Sequence, residues 1–356
     1  GLPTSTTVSV IFSLLGASVV LAVYKVYVSG DSFSTLGNYI NTEKASEIVY
    51  SILLSVALSF ALGSLVQYVS RLIFTFHIEK RYKYVAALFG GVAMTAITFF
   101  ILVKGLKSIT FVPSEVKDFI KESPLTIIAY SLILWTIVCQ LLISVFKYSV
   151  FKFIIIVGTF GLALAFAGND LVNFIGVPIA AYQAFEIWAA PGQTVGATEF
   201  MMSGLEKENL PAPFIFLALA GLVMVYTLWT SKKAKSVIET EQNLSRQGEG
   251  NEKYNANTLS RNIVRAMMYL GNIISFILPK SLQRKLDAQF VQPEYTGKRD
   301  EQPMFDMVRA SVNLIVASIL ISIGTSMKLP LSTTYVTFMV AMGSSFADRA
   351  WDRESA

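Results

Sequence analysis

Charge is what this sequence has least of. Only 15% of its 356 residues are Asp, Glu, Lys or Arg, where a soluble domain carries about a quarter. That deficit excludes an ordinary water-soluble globule. Cysteine is nearly absent too: Cys139 stands alone, so no internal disulfide can form, and its place in an apolar run makes it a packing residue. The single histidine, His77, opens the basic stretch "HIEKRYK" (His77 to Lys83) and reads as solvated. No nucleophile–base pair and no metal-ligand cluster emerges, which argues against an enzyme. Residue 1 is Gly rather than Met, and no charged leader precedes the first apolar segment. There is no signal peptide to read, and the chain is expected to be a piece of a longer protein.

What fills the space is hydrocarbon. Hydrophobic residues make up 53% of the chain and mean hydropathy is +0.55. Apolar stretches fall at 8–28, 48–76, 84–106, 124–147, 151–167, 171–190, 211–230, 306–327 and 334–347. About 20 apolar residues suffice to cross a bilayer. The expected fold is therefore an all-α polytopic membrane protein of about 8–9 apolar segments. The formal charge of +5 calls for no nucleic-acid partner, because basic loops are what the positive-inside rule demands. Loop 231–303 holds 12 Lys/Arg against 8 Asp/Glu. It and loop 77–83 are assigned to the cytoplasm, with 107–123 and 191–210 outside. The unit 151–190, interrupted by "GND" (Gly168 to Asp170), then has to be one broken or bent crossing. Within the long loop, Thr258 to Leu278 has near-helical spacing of Leu259, Ile263, Met267, Leu270 and Ile274. This predicts an amphipathic helix lying on the membrane surface or on neighbouring helices, with a regulatory or partner-binding arm as the other reading.

A short motif occurs twice. "GLPTSTT" (Gly1 to Thr7) and "KLPLSTT" (Lys328 to Thr334) align at an offset of 327, which also superimposes Gly16 on Gly343 and Ser18 on Ser345. Both copies precede an apolar run, and corresponding motifs in two halves suggest a duplicated transporter fold. Pro suits the entry to a helix, and Ser supplies an N-cap beside unpaired backbone N–H groups. Those donors and the helix dipole form a ready anion site. The same hydroxyls can instead merely cap helices or bond back to their own carbonyls.

A second motif is "FAGNDLVNF" (Phe166 to Phe174), with Asp170 between two apolar runs. An ionisable group at membrane depth is a functional-site candidate by default. Asn169 and Asn173 are four apart and share a face if the segment after Gly168 is helical. Gly168 would let the chain change direction there. A carboxylate, amides and freed backbone oxygens make the ligand set of a hard cation such as Na+. Asp170 capping an interfacial helix is the alternative. Gln183 and Glu186 share a face nearer the outer end and carry less weight.

These residues resemble the inorganic phosphate transporter (PiT) family of sodium- or proton-coupled carriers. That family carries G-A-N-D-x-x-N and P-x-S-T-T motifs in each of two inverted-topology repeats. Gly168, Asn169, Asp170 and Asn173 are similar to the first motif, and Pro3 to Thr7 and Pro330 to Thr334 to the second. The resemblance covers most of the chain. It departs from the pattern in three places. Ala167-Gly168 stands where the family has Gly-Ala, the span 214–230 has no acidic residue, and no first-half G-x-N-D copy is present. If the repeats match, that copy should lie roughly 90 residues before Pro3.

The resemblance implies two inverted repeats with broken helices or re-entrant segments. Residues 1–147 would be the remainder of the first repeat with connecting helices, and 148–230 the start of the second. Residues 231–303 would be the cytoplasmic loop, and 304–356 the end of the second repeat. It further implies phosphate held by Ser5, Thr6, Thr7, Ser332, Thr333 and Thr334, and a cation held by Asn169, Asp170 and Asn173, with Asp170 as the Na+ ligand. The expected function is secondary active phosphate transport by alternating access in the plasma (inner) membrane. It would use no cofactor beyond Na+ or H+ as coupling ion. Inorganic phosphate and membrane lipid are the expected partners, and a second copy of the chain is a candidate one. The alternatives are a sulfate or other oxyanion symporter and, from another class, a phosphate-sensing receptor.

Overall fold

The computed structural model describes residues 5–75, 82–103, 122–190, 202–206, 212–232, 279–290 and 306–349 (save 328 and 330), with isolated positions between them. Among these residues every regular element is helical and none is a strand. A bilayer dictates this, since each backbone N–H and C=O must be satisfied within its own segment. Nine α-helices are described: α1 (Thr6–Ser29), α2 (Thr42–Phe74), α3 (Tyr82–Ile97), α4 (Pro124–Ser144), α5 (Val150–Ala189), α6 (Phe214–Thr230), α7 (Lys280–Gln289), α8 (Met307–Ser326) and α9 (Thr333–Ala347). Five of them, α1, α2, α4, α5 and α8, are long and apolar enough to cross a membrane. The protein is an all-α polytopic membrane protein.

The chain divides into two compact units. Unit 1 comprises residues 1–47 and 166–238. Its α1 starts at an N-cap and ends in a Schellman turn. Gly30 takes φ +73, the left-handed conformation glycine adopts without steric cost, and Asp31 N–H closes back on the Val26 carbonyl at 3.2 Å. At about 36 Å, α1 exceeds a ~30 Å hydrocarbon core. In the same unit the Tyr182 ring meets Phe216 of α6 edge-on, centroids 5.4 Å apart.

Unit 2 comprises residues 48–165 and 239–356. Its core is built by α3, α4, the first part of α5, and α8. Ala87, Ala93, Met94, Ile97, Cys139, Val150, Ile154 and Ile315 pack together there. Cys139 is buried among them, so the packing role expected of it matches its place. The α3–α4 approach depends on glycine, because a Cβ on Gly91 would run into the Thr136 side chain. Just past α3, in the π-helical stretch Thr98–Val103, the Thr98 hydroxyl accepts from Trp135 Nε1 at 3.1 Å. Glycine also brings α2 and α9 together. A Cβ on Gly63 would lie 2.5 Å from the Val340 carbonyl oxygen, and one on Gly343 would overlap the Phe60 carbonyl. Ser64 Oγ donates across the same seam to the Gly343 carbonyl at 3.0 Å.

One expectation needs correcting. The segment 151–190 is neither interrupted nor turned at Gly168: α5 runs as a single 40-residue helix with Pro178 inside it, and Gly168 has no left-handed φ. Its apolar flanks explain why. Breaking a helix among Phe, Ala and Leu would strand backbone polar groups in hydrocarbon, whereas an interior Gly costs only about 1 kcal/mol. At about 60 Å, α5 is twice the thickness of a hydrocarbon core. The amphipathic segment Thr258 to Leu278 falls mostly outside the described residues. So do His77 and both motif prolines, Pro3 and Pro330.

Candidate functional site

The Ser-Thr-Thr ends of the two motif copies, Ser5 to Thr7 and Ser332 to Thr334, fold alike. Ser5 is the N-cap of α1, in extended conformation, its Oγ accepting from Val8 N–H at 3.2 Å. Ser332 is the N-cap of α9 in the same conformation, its Oγ accepting from Tyr335 N–H at 3.1 Å. Each serine therefore satisfies an orphan donor of the first turn and still has its own O–H to donate. Capping and ligand contact are thus compatible in one side chain. Ser5, Thr7, Ser332 and Thr333 are buried, Thr334 is half-buried and Thr6 is exposed.

In unit 1 the two sequence motifs come together across more than 160 positions. Asn173 Nδ2 donates to Thr7 Oγ1 at 2.9 Å and lies 3.4 Å from Thr6 Oγ1. Asn169 Nδ2 reaches Thr7 Oγ1 at 3.5 Å and Asp170 Oδ1 at 3.1 Å. The helical register of α5 puts Asn169 and Asn173 on one face, which lies against the first turn of α1. The consequence is directional. Thr7 Oγ1 accepts from the amides, so what it offers a further partner is its O–H. The amides, having turned their N–H groups to the threonines, keep their Oδ1 atoms as acceptors. The arrangement pairs hydroxyl donors suited to an oxyanion with carboxylate and amide oxygens suited to a hard cation. Among the described residues no cluster of three His, Cys, Asp or Glu side chains could hold a metal ion. A cation here would rest on Asp170 plus amide and hydroxyl oxygens. Ser332, Thr333 and Thr334 belong to unit 2.

Unit 2 holds a polar cluster that reading the sequence missed. Arg71, near the end of α2, makes a two-pronged contact with Asp348, the C-cap of α9: Nε to Oδ1 at 2.9 Å and Nη2 to Oδ2 at 2.5 Å. Arg309 Nε and Gln67 Nε2 converge on Asp348 Oδ2 at 3.0 and 2.8 Å. Asp306, the N-cap of α8, lies 3.1 Å from Arg71 Nη2 and accepts from Arg309 N–H at 2.9 Å. Two arginines and two aspartates thus form a neutral quartet, all at most 5% exposed. Burial pushes the Asp348 carboxyl up, but the hydrogen bonds and charges of Arg71 and Arg309 outweigh it and hold it below its ordinary value. One signal was present in the sequence. Arg71 and Arg309 are cations inside the apolar stretches 48–76 and 306–327, and such residues are placed only where a partner waits.

A model of the phosphate transporter family (PHO4) matches residues 1–241, which takes in α1 to α6 and with them Ser5 to Thr7 and Asn169 to Asn173. No curated protein and no solved structure matches the chain. The family match covers more than half of the sequence and agrees with the spanning helices. The chain belongs to the phosphate transporter family, a family of integral membrane carriers and not of enzymes.

Proposed function

We propose that this transporter moves inorganic phosphate by alternating access, coupled to Na+ or H+, across the plasma (inner) membrane. The hydroxyls of Ser5, Thr6 and Thr7 act as phosphate donors, and Asn169, Asp170 and Asn173 as the cation side of the same site. The observation that carries this reading is the contact of the Asn173 amide with Thr7 and Thr6. It joins an anion-type motif to a cation-type motif through one side chain. A cation drawing on the amide Oδ1 polarises the amide N–H, strengthens its bond to Thr7, and makes the Thr7 hydroxyl a better donor to phosphate.

Coupling is needed on energetic grounds. A dianion entering a negative interior works against about 2.3 kcal/mol per charge per 100 mV, and co-transported cations offset that barrier. Neutral donors suit a carrier, because they release phosphate more readily than a bidentate arginine clamp would. Ser332, Thr333 and Thr334 act as the corresponding phosphate donors of a second repeat. The identical serine caps at Ser5 and Ser332 support that duplication.

The test is uptake of labelled phosphate into proteoliposomes, first under a sodium gradient, then under a pH gradient, with sulfate as competitor. One of the two gradients should drive accumulation, and sulfate should compete poorly where an acceptor such as Asp170 takes the hydrogen bond that only protonated phosphate can donate. Uptake that ignores both gradients contradicts coupling. Equal competition by sulfate makes the substrate any tetrahedral oxyanion.

A further inference from the structure

The short helix α7 is polar, yet it is fastened to the membrane-spanning part of unit 2. Phe290, its C-cap, is buried and stacks on Tyr68 of α2 with ring centroids 5.4 Å apart. The Arg349 guanidinium lies 5.2 Å over the Phe290 ring, and Arg349 Nη2 also donates to Asp287 Oδ1 at 2.7 Å. Tyr68 is six residues before the end of α2 at Phe74, about 9 Å along the axis. The last turns of α2 expose Val69 and Ile73 to the surroundings. A charged helix is therefore clamped beside an apolar outer surface, which is the signature of the membrane–water boundary.

On α7 the charges are sorted. Lys280, Arg284 and Lys285 fall within about 140° of one another around the axis and are all exposed. Among the described residues none of the three has an anionic partner, and the helix's one carboxylate, Asp287, is engaged by Arg349. Leu286 and Phe290 occupy the opposite arc and are half-buried and buried.

We propose that the Lys280–Arg284–Lys285 face of α7 binds the headgroups of anionic phospholipids. Charge complementarity selects that occupant. The face is cationic and, among the described residues, without an anionic partner, it is fixed beside exposed apolar side chains of a spanning helix, and the leaflet that attracts basic segments is the anionic one. The proposal is independent of phosphate transport.

The test uses the full chain, reconstituted with equal phosphatidylserine and phosphatidylcholine and then stripped of bulk lipid. Retained lipid is counted by mass. The unaltered chain should enrich phosphatidylserine about tenfold at low salt, with the preference shrinking as ionic strength rises. The K280Q/R284Q/K285Q variant should fall to within about twofold of the bulk ratio, while K280R/K285R keeps the preference and shows that the fold survives. Unchanged enrichment in the triple Gln variant overturns the assignment by placing the lipid site elsewhere. No enrichment in the unaltered chain overturns it in favour of an acidic protein partner.

Discussion

Thr7 and Asn173 join the two motifs of the proposed site through one hydrogen bond, so the individual atoms can be tested one at a time. Thr7→Val keeps the shape and removes the hydroxyl. It should weaken phosphate affinity about tenfold, the worth of one hydrogen bond of ~1.4 kcal/mol, with little change in yield. Asn173→Ala removes the bridging amide and should cost at least as much, read as the phosphate concentration at half-maximal uptake. Asp348→Asn behaves differently. It leaves Arg71 and Arg309 with too few anions in a buried setting, which typically costs about 3–5 kcal/mol. The measurement is thermal stability in detergent. The pH dependence has a definite sign. Asp348 is held below its ordinary value, so its stabilising contribution is complete above about pH 4 and is lost as pH falls through the lower folded value. Thermal stability should be flat from pH 7 to 5 in this respect and decline below about 4.

Helices are where reading the sequence did best and where it failed most instructively. The apolar runs became helices because a bilayer permits little else. The Ser caps at Ser5 and Ser332, and the shared face of Asn169 and Asn173, follow from local periodicity that is visible in any window of five residues. The unbroken course of α5 was not visible. Gly-Asn-Asp is turn chemistry in water, and only the cost of stranding backbone groups in hydrocarbon overrides it. The Arg71–Asp348 pair was hidden for another reason. A single cation barely lowers the mean of a long apolar run, and its partner lies 277 positions away. The repeat carried information of its own. Gly16 and Gly343 align at the offset of 327, yet a Cβ on Gly16 meets nothing within 4 Å while one on Gly343 strikes the Phe60 backbone. Sequence identity there marks equivalent register, not equivalent packing. Two expectations follow. Gly343→Ala should force α2 and α9 apart and cost about 1–3 kcal/mol, and Gly16→Ala should be neutral or stabilise by up to ~1 kcal/mol. Unfolding midpoints of the two variants in one detergent check both.

For the molecule as a whole, family membership establishes phosphate transport, and the geometry of unit 1 suggests how a cation could be linked to it. The linkage claim is thermodynamic. If Asn169, Asp170 and Asn173 hold the coupling ion on one side of the amides and Thr6 and Thr7 hold phosphate on the other, each ligand must raise the affinity for its partner by the same factor. The α2–α8–α9 cluster and the basic face of α7 stand apart from that linkage, since changes there should alter stability or lipid preference without uncoupling the two ligands. The deciding measurement is phosphate uptake by proteoliposomes across a series of sodium concentrations and, separately, pH values, for the unaltered protein and for Asp170→Asn. The account predicts that one of these ions lowers the half-maximal phosphate concentration at least fivefold in the unaltered protein, a coupling of ~1 kcal/mol or more, and that Asp170→Asn abolishes the dependence. A variant that retains the full dependence on the same ion would contradict it.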